Sequence, residues 1–334
     1  MIKNIIKKIT VCLIVIIILI YIILFALSQK QYDVKFGVSF SPEYAQSLGM
    51  DPKSVYNQIL TDLKPKYLRL SIPWSRVETK KDSYFFSDVD YYMDEAEKHN
   101  VKVLLALGQK VPRWPECYIP EWTKTMPIND KKDALLAYIE TTVNRYKNHK
   151  ALEYWQVENE PFIKFAFGEC SVFDEESVKS EVEFVKKLDP NHKIIMTDSG
   201  ELSTWNKASS MGDILGVTLY RVVRTQGGTV WNYNLIPASA YKVRAFLWGK
   251  SYENFFVSEL QAEPWFTGGT PLNTETNVQE QTSSLAQMKK NISFAKKVGA
   301  SRAYFWGVEW WYWMKTTQNN STYWDEAKKQ LNNL

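Results

Sequence analysis

Tyr154-Trp155-Gln156-Val157-Glu158-Asn159-Glu160-Pro161 is an apolar, aromatic stretch that runs straight into carboxylates and a proline. A short apolar run closed by such punctuation reads as a buried strand emptying into a loop. A second stretch has the same form: Phe255-Phe256-Val257-Ser258-Glu259-Leu260-Gln261-Ala262-Glu263-Pro264-Trp265. Glu160 and Glu259 are therefore both expected where a strand ends. In a barrel of parallel strands such ends converge on one open face. Two carboxyl groups brought together there can divide the breaking of a glycosidic bond, one as proton donor and the other as nucleophile or base.

Outward from these stretches, strand-like runs at 35–40, 67–72, 102–107, 152–157, 193–197, 214–219, 254–258 and 302–306 alternate with helical patterns. The helical patterns fall at 53–63, 89–99, 131–147, 175–188, 204–210, 238–247, 278–298 and 324–331. Near-continuous hydrophobic strands alternating with helices imply a parallel sheet covered by helices. Eight such pairs predict closure into a (β/α)8 TIM barrel. No glycine-rich phosphate loop follows the first strand, which argues against a nucleotide-binding open sheet. Residues 31–334 read as one domain, about the size of a single barrel with modest insertions.

The first 30 residues stand apart. Lys3, Lys7 and Lys8 precede an unbroken apolar run from Val11 to Leu27. That run predicts a transmembrane helix, with residues 9–28 in the lipid bilayer. The lysines leave the N-terminus in the cytoplasm and place everything after Leu27 outside. A cleavable signal is the alternative, since Ala26-Leu27-Ser28 offers small residues at suitable spacing. In an exported domain disulfides persist. Cys117 and Cys170 fall in the expected loops after strands three and four, neighbours in a barrel, so a Cys117–Cys170 bridge is expected; two separate thiols are the other reading.

The formal net charge of +4 is small, and no basic stripe of the kind nucleic acid requires is present. With three histidines, all expected at helix ends or helix-to-strand connections, and three cysteines, of which Cys12 lies within the apolar run and Cys117 and Cys170 are isolated, no metal site or cofactor is expected. Tryptophan is abundant, and Trp74, Trp114, Trp122, Trp265, Trp310, Trp311 and Trp313 crowd the expected open face. They read either as sugar subsites, Trp114 and Trp265 foremost, or as cores of long loops.

At these strand ends the sequence resembles the clan A glycoside hydrolases, a retaining (β/α)8 group that includes cellulases, mannanases and β-galactosidases. The resemblance runs from about Lys35 to the C-terminus. It implies that Asn159-Glu160-Pro161 carries the acid/base, that Glu259 is the nucleophile, and that Arg69 on strand two and Tyr220 after strand six support Glu259. It further implies that Asn159 binds a sugar hydroxyl and that Trp306 forms a sugar platform. The reaction implied is hydrolysis of a β-linked oligo- or polysaccharide by double displacement. A transglycosidase using the same residues, and a non-catalytic carbohydrate-binding barrel, are the alternatives. Two departures stand out: Gln109 and Lys110 occupy the end of strand three, where cellulase-type members commonly carry histidine, and none of the histidines here is expected on the open face. Glu158, Glu201, Glu263 and Glu309 are rival carboxylates. Glu263 is the second choice for nucleophile, and Glu158 is expected to pair with a cation deeper in the barrel.

Overall fold

The computed structural model describes residues 2–163, 170, 174–266 and 268–332. Eight parallel strands close into a barrel in the order one, eight, seven, six, five, four, three, two. They are Lys35–Phe40, Tyr67–Ser71, Lys102–Leu107, Leu152–Val157, Lys193–Asp198, Ile214–Leu219, Phe255–Gln261 and Arg302–Trp306. Strand seven is longer than its sequence pattern suggests, so Glu259 lies inside it rather than past its end.

Each strand alternates between two environments, as a pleated chain must. Val103, Leu105 and Leu107 join the large outer core beneath the helices, whereas Leu104 joins Ile195, Ile214, Phe256 and Tyr304 in a separate cluster inside the barrel. Arg69 falls between Leu68 and Leu70 of the outer core, and Gln156 between Trp155 and Val157. Both polar side chains are thereby directed inward.

The expected helices are present, with one division. The run 278–298 is two helices, Thr276–Ser283 and Leu285–Ala295. Ser284 adopts an extended conformation between them and its side chain caps the second helix through the Gln287 N–H. Such a side-chain cap competes with continued helix where Thr and Ser cluster. The loop after strand six carries a small antiparallel hairpin, Val222–Arg224 with Val230–Asn232. A further helix, Val308–Thr317, starts directly after strand eight.

Cys117 and Cys170 form the expected disulfide, with Cα atoms 5.3 Å apart. The helix Ile2–Leu27 has no buried residue, and it is long and apolar enough to cross a membrane.

Candidate active site

Glu259 reaches the interior through a break in strand periodicity. Along strand seven Phe256 faces in and Val257 faces out, so strict alternation would turn Glu259 outward. Instead the pairing with strand six steps from Val217↔Val257 to Thr218↔Glu259, and the pairing with strand eight slips over the same residues. One extra residue, Ser258, is accommodated as a bulge. A bulge re-aims the side chain that follows it, and Glu259 turns into the barrel mouth.

There it is held on both oxygens. Arg69 Nη1 donates to Oε1 at 2.8 Å and the Tyr220 hydroxyl donates to Oε2 at 2.7 Å. The other guanidinium nitrogens are also engaged: Nε donates to Gln156 at 2.9 Å and Nη2 to the Asn159 side-chain oxygen at 2.9 Å. Arg69 is fully buried and every arm has an acceptor, so it can shift only with the whole network. Gln156 ties the network to strand five by donating to Asn159 at 3.1 Å and to Thr197 at 3.4 Å.

Glu160 also breaks the alternation. Gln156 faces in, but two residues on Glu158 has φ of 59° and swings away, and Glu160 has φ of 44°. Left-handed backbone at two non-glycine residues costs energy and recurs where side chains must be aimed. Strand parity suggested a cation partner for Glu158 inside the barrel, but among the described residues its hydrogen-bonding partners are different. Its carboxylate accepts the backbone N–H groups of Gln109 and Lys110, each at 2.8 Å. Gly108 makes this approach possible, because a Cβ there would lie 2.4 Å from a Glu158 oxygen.

The Glu160 backbone N–H donates to the Thr197 hydroxyl at 2.9 Å, and Thr218 donates its hydroxyl to Glu160 Oε1 at 3.2 Å. Thr218 is itself the cross-strand partner of Glu259. The two glutamates thus share one neighbourhood. Burial, then the charges of Glu259 and Glu116, push the Glu160 carboxyl well above the usual carboxylate range. Burial thus favours the protonated form of one glutamate, while the other is paired with a guanidinium.

Trp306 ends strand eight and is nearly buried, with the Arg113 guanidinium 4.1 Å from its ring centre. Arg113 also lies 3.9 Å from the ring centre of Tyr44. It bridges Glu263 and Glu309, donating to both. A small cavity next to this cluster is lined by Ser39, Arg69, Pro112, Arg113, Trp306 and Glu309. Burial raises the carboxyl of Glu309 to about 7 against the opposing charge of Arg113. Glu263, the second choice for nucleophile, is thus spent on an ion pair. Glu201 lies apart, accepting from Tyr241 at 2.7 Å and pairing with Arg221.

The tryptophans divide. Trp74, Trp310, Trp311 and Trp313 are buried and serve as loop core. The indole N–H groups of the first three are satisfied by Glu78, Gln279 and the Ala262 carbonyl respectively. Trp122 is partly buried against Trp74 and donates to the Glu78 carbonyl. Trp265 packs edge-on to Tyr220 at 5.0 Å, one step from Glu259. Trp114 is 70% exposed at the rim.

Reasoning from strand ends noted Lys110 without giving it a role and overlooked Glu116, Arg113 and Tyr44. Lys110 pairs with Glu116 at 3.2 Å and donates to the Glu160 carbonyl. Arg113 stands a few residues past strand three, so the rule that found Glu160 could have found it had cations been scanned with acids.

No protein-family model matches the chain. It is 29% identical to the probable mannan endo-1,4-beta-mannosidase F of Aspergillus flavus over 136 residues, 38% of this chain and 27% of that protein. It is 29% identical to endo-1,4-beta-xylanase 2 of Claviceps purpurea over 156 residues, 45% of this chain and 46% of that protein. The matched stretches thus span less than half the length of either relative. Native xylanase 10B of Thermotoga maritima superposes with a TM-score of 0.60 at 16% identity, over 92% of this chain and 97% of that one. That last likeness is one of fold. In fold and in local sequence the chain is similar to clan A glycoside hydrolases.

Proposed function

We propose that the chain is a retaining glycoside hydrolase acting on a β-linked polysaccharide. Glu259 attacks the anomeric carbon and Glu160 protonates the departing glycosidic oxygen. The bond from C1 to the leaving oxygen breaks as the bond from C1 to Glu259 forms. Glu160, now ionised, then removes a proton from water, which displaces Glu259 and restores both groups. Asn159, fixed by Arg69 and Gln156, is placed to meet the sugar 2-hydroxyl. Trp265 and Trp114 extend the sugar-binding face outward from the cleavage point. The names of the relatives favour a β-1,4-linked mannan or xylan.

A single observation carries this reading: Glu259 accepts from both Arg69 and Tyr220 while Glu160, which shares the neighbour Thr218 with it, has its carboxyl pushed well above the usual range by burial. Incubation with 2-deoxy-2-fluoro β-mannosyl and β-xylosyl donors tests it. Covalent mass added to the peptide bearing Glu259 is expected; label on Glu263, or turnover of a β-glycan with inversion at C1, contradicts it.

The same reading assigns residues 1–30 to a membrane segment and 31–334 to the catalytic barrel. The apolar helix and the disulfide favour a barrel outside the membrane, tethered by residues 9–28, or released if the segment is cleaved after export.

A further inference from the structure

We infer that the helix Ala238–Leu247 is a second membrane contact, laying one flank of the barrel on the outer surface of the bilayer. The inference rests on reading Ile2–Leu27 as a membrane span. The barrel-facing side of this helix is ordinary, with Ala238, Tyr241 and Ala245 buried. Its opposite side is not. Ser239, buried against the end of the helix Ile2–Leu27, is followed at spacings of four, three and one by the exposed Val243, Phe246 and Leu247, which align with it on a single face of a helix. Phe246 is 74% exposed and Leu247 71%. Leu235, just before the helix, is 81% exposed, and Trp248 at its end is also open to solvent. A surface helix normally presents polar residues outward, and one that is apolar on both sides has apolar matter on both sides.

What lies on the outer side is indicated by the first residue of that face. The Ser239 hydroxyl donates to the Leu24 carbonyl at 2.5 Å, and its backbone N–H donates to the Ser28 hydroxyl at 2.9 Å. The membrane helix therefore ends directly on this stripe. No leash intervenes, because Tyr32 is already bonded to the barrel through the Lys296 carbonyl at 2.7 Å, and its hydroxyl accepts from Lys242 at 2.9 Å. A barrel fixed this closely to the end of a spanning helix cannot stand clear of the lipid headgroups. Phe and Leu then enter the acyl boundary while Trp248 sits at headgroup depth, where indole rings accumulate.

The test uses the full chain in phosphatidylcholine–phosphatidylglycerol proteoliposomes. Nitroxide is attached to Phe246→Cys, Phe85→Cys or Val15→Cys in a Cys12→Ser background with the disulfide intact. Phe85 is exposed and distant from this helix in sequence, and Val15 reports the spanning segment. Collision with oxygen, enriched in lipid, is compared with collision with a water-soluble nickel chelate. The expected result is a shift at position 246 towards oxygen, relative to position 85, with position 15 deepest. A water-like label at 246 with a lipid-like label at 15 overturns the docking while leaving the anchor. A water-like label at 15 removes the anchor and the proposal with it. Shielding of 246 from both reagents, with spin–spin broadening, assigns the stripe to a second copy and also overturns the proposal.

Discussion

The Tyr220 hydroxyl donates to one oxygen of Glu259 at 2.7 Å while Arg69 donates to the other at 2.8 Å. Both donors are directed at the carboxylate that the mechanism needs free of its proton. In the proposed mechanism, as Glu259 attacks, its charge moves to the new C–O bond and the hydrogen bond from Tyr220 weakens. When the glycosyl-enzyme breaks, the same bond strengthens again. A donor so placed contributes most to the second step.

Tyr220→Phe removes that donor and little else. A hydrogen bond to a charged group contributes roughly 1.5–3 kcal/mol, so kcat is expected to fall about 10- to 100-fold. Slower breakdown than formation of the covalent intermediate should appear as a burst of the first product. A variant with unchanged kcat would show that the contact does not matter to catalysis.

Glu259→Ala should abolish turnover, with a loss of at least about 1,000-fold. Azide can then enter from the face Glu259 vacates, and the product is expected to be the α-glycosyl azide. In Glu160→Ala the covalent step survives for substrates with good leaving groups, and azide should yield the β-glycosyl azide. Exchange of these two outcomes would exchange the two roles.

With Glu160 as the proposed acid, its proton is expected to set the alkaline limb of the pH profile. Because burial and the charges of Glu259 and Glu116 hold its carboxyl well above the usual range, cleavage of a natural glycan should persist to higher pH than an ordinary carboxyl acid permits. Activity then declines as pH rises through that raised value. Glu160→Gln should lose glycan cleavage while still forming the covalent intermediate from an aryl glycoside with an acidic phenol. A profile for that intermediate that keeps the same alkaline limb in Glu160→Gln would assign the limb to another group.

Stability should also depend on pH, with the opposite sign to most carboxylate-rich proteins. Burial pushes Glu158, Glu201 and Glu309 up to about 7. A carboxyl whose folded value is raised favours folding while protonated. That contribution is complete below the unfolded value of about 4.5 and is lost as pH rises through about 7. Asp174, lowered to about 2 by the Ser177 N–H and hydroxyl at its helix cap, works the other way, but only below about pH 4. The melting temperature is therefore expected to be higher at pH 5 than at pH 8. Calorimetry giving the reverse order would remove these three groups as the controlling ones, and Glu309→Gln should flatten the slope.

The Cys117–Cys170 bridge closes a loop across 53 residues of sequence. Such cross-links stabilise by about 2–4 kcal/mol, so reduction should lower the melting temperature by several degrees. Alkylation without reductant should modify neither residue; modification of both would show the bridge absent.

The alternation of apolar strands and amphipathic helices was legible because it is local. Hydrophobic period and strand length require no knowledge of neighbours, and all eight barrel strands lie where that pattern puts them. The disulfide pairing followed from the same barrel order. Less legible were contacts whose partners are distant in sequence and carry no period. The Arg113–Glu263–Glu309 cluster joins the segments that follow strands three, seven and eight, and although Arg113 stands near a strand end, nothing there announces its partners. The fate of the tryptophans was equally hidden, since a residue of high apolar area serves a loop core or a sugar face equally well.

Sequence alone determined that Glu160 and Glu259 belong to the same rim of one barrel, because strand count and order follow from hydrophobic pattern. It could not determine that either side chain points inward. The bulge at Ser258 reverses the parity of Glu259, and the left-handed turns at Glu158 and Glu160 override that of strand four. Both are set by register against neighbouring strands and by the amide groups of Gln109 and Lys110 just past strand three. Those are tertiary partners, and only the closed barrel brings them within reach.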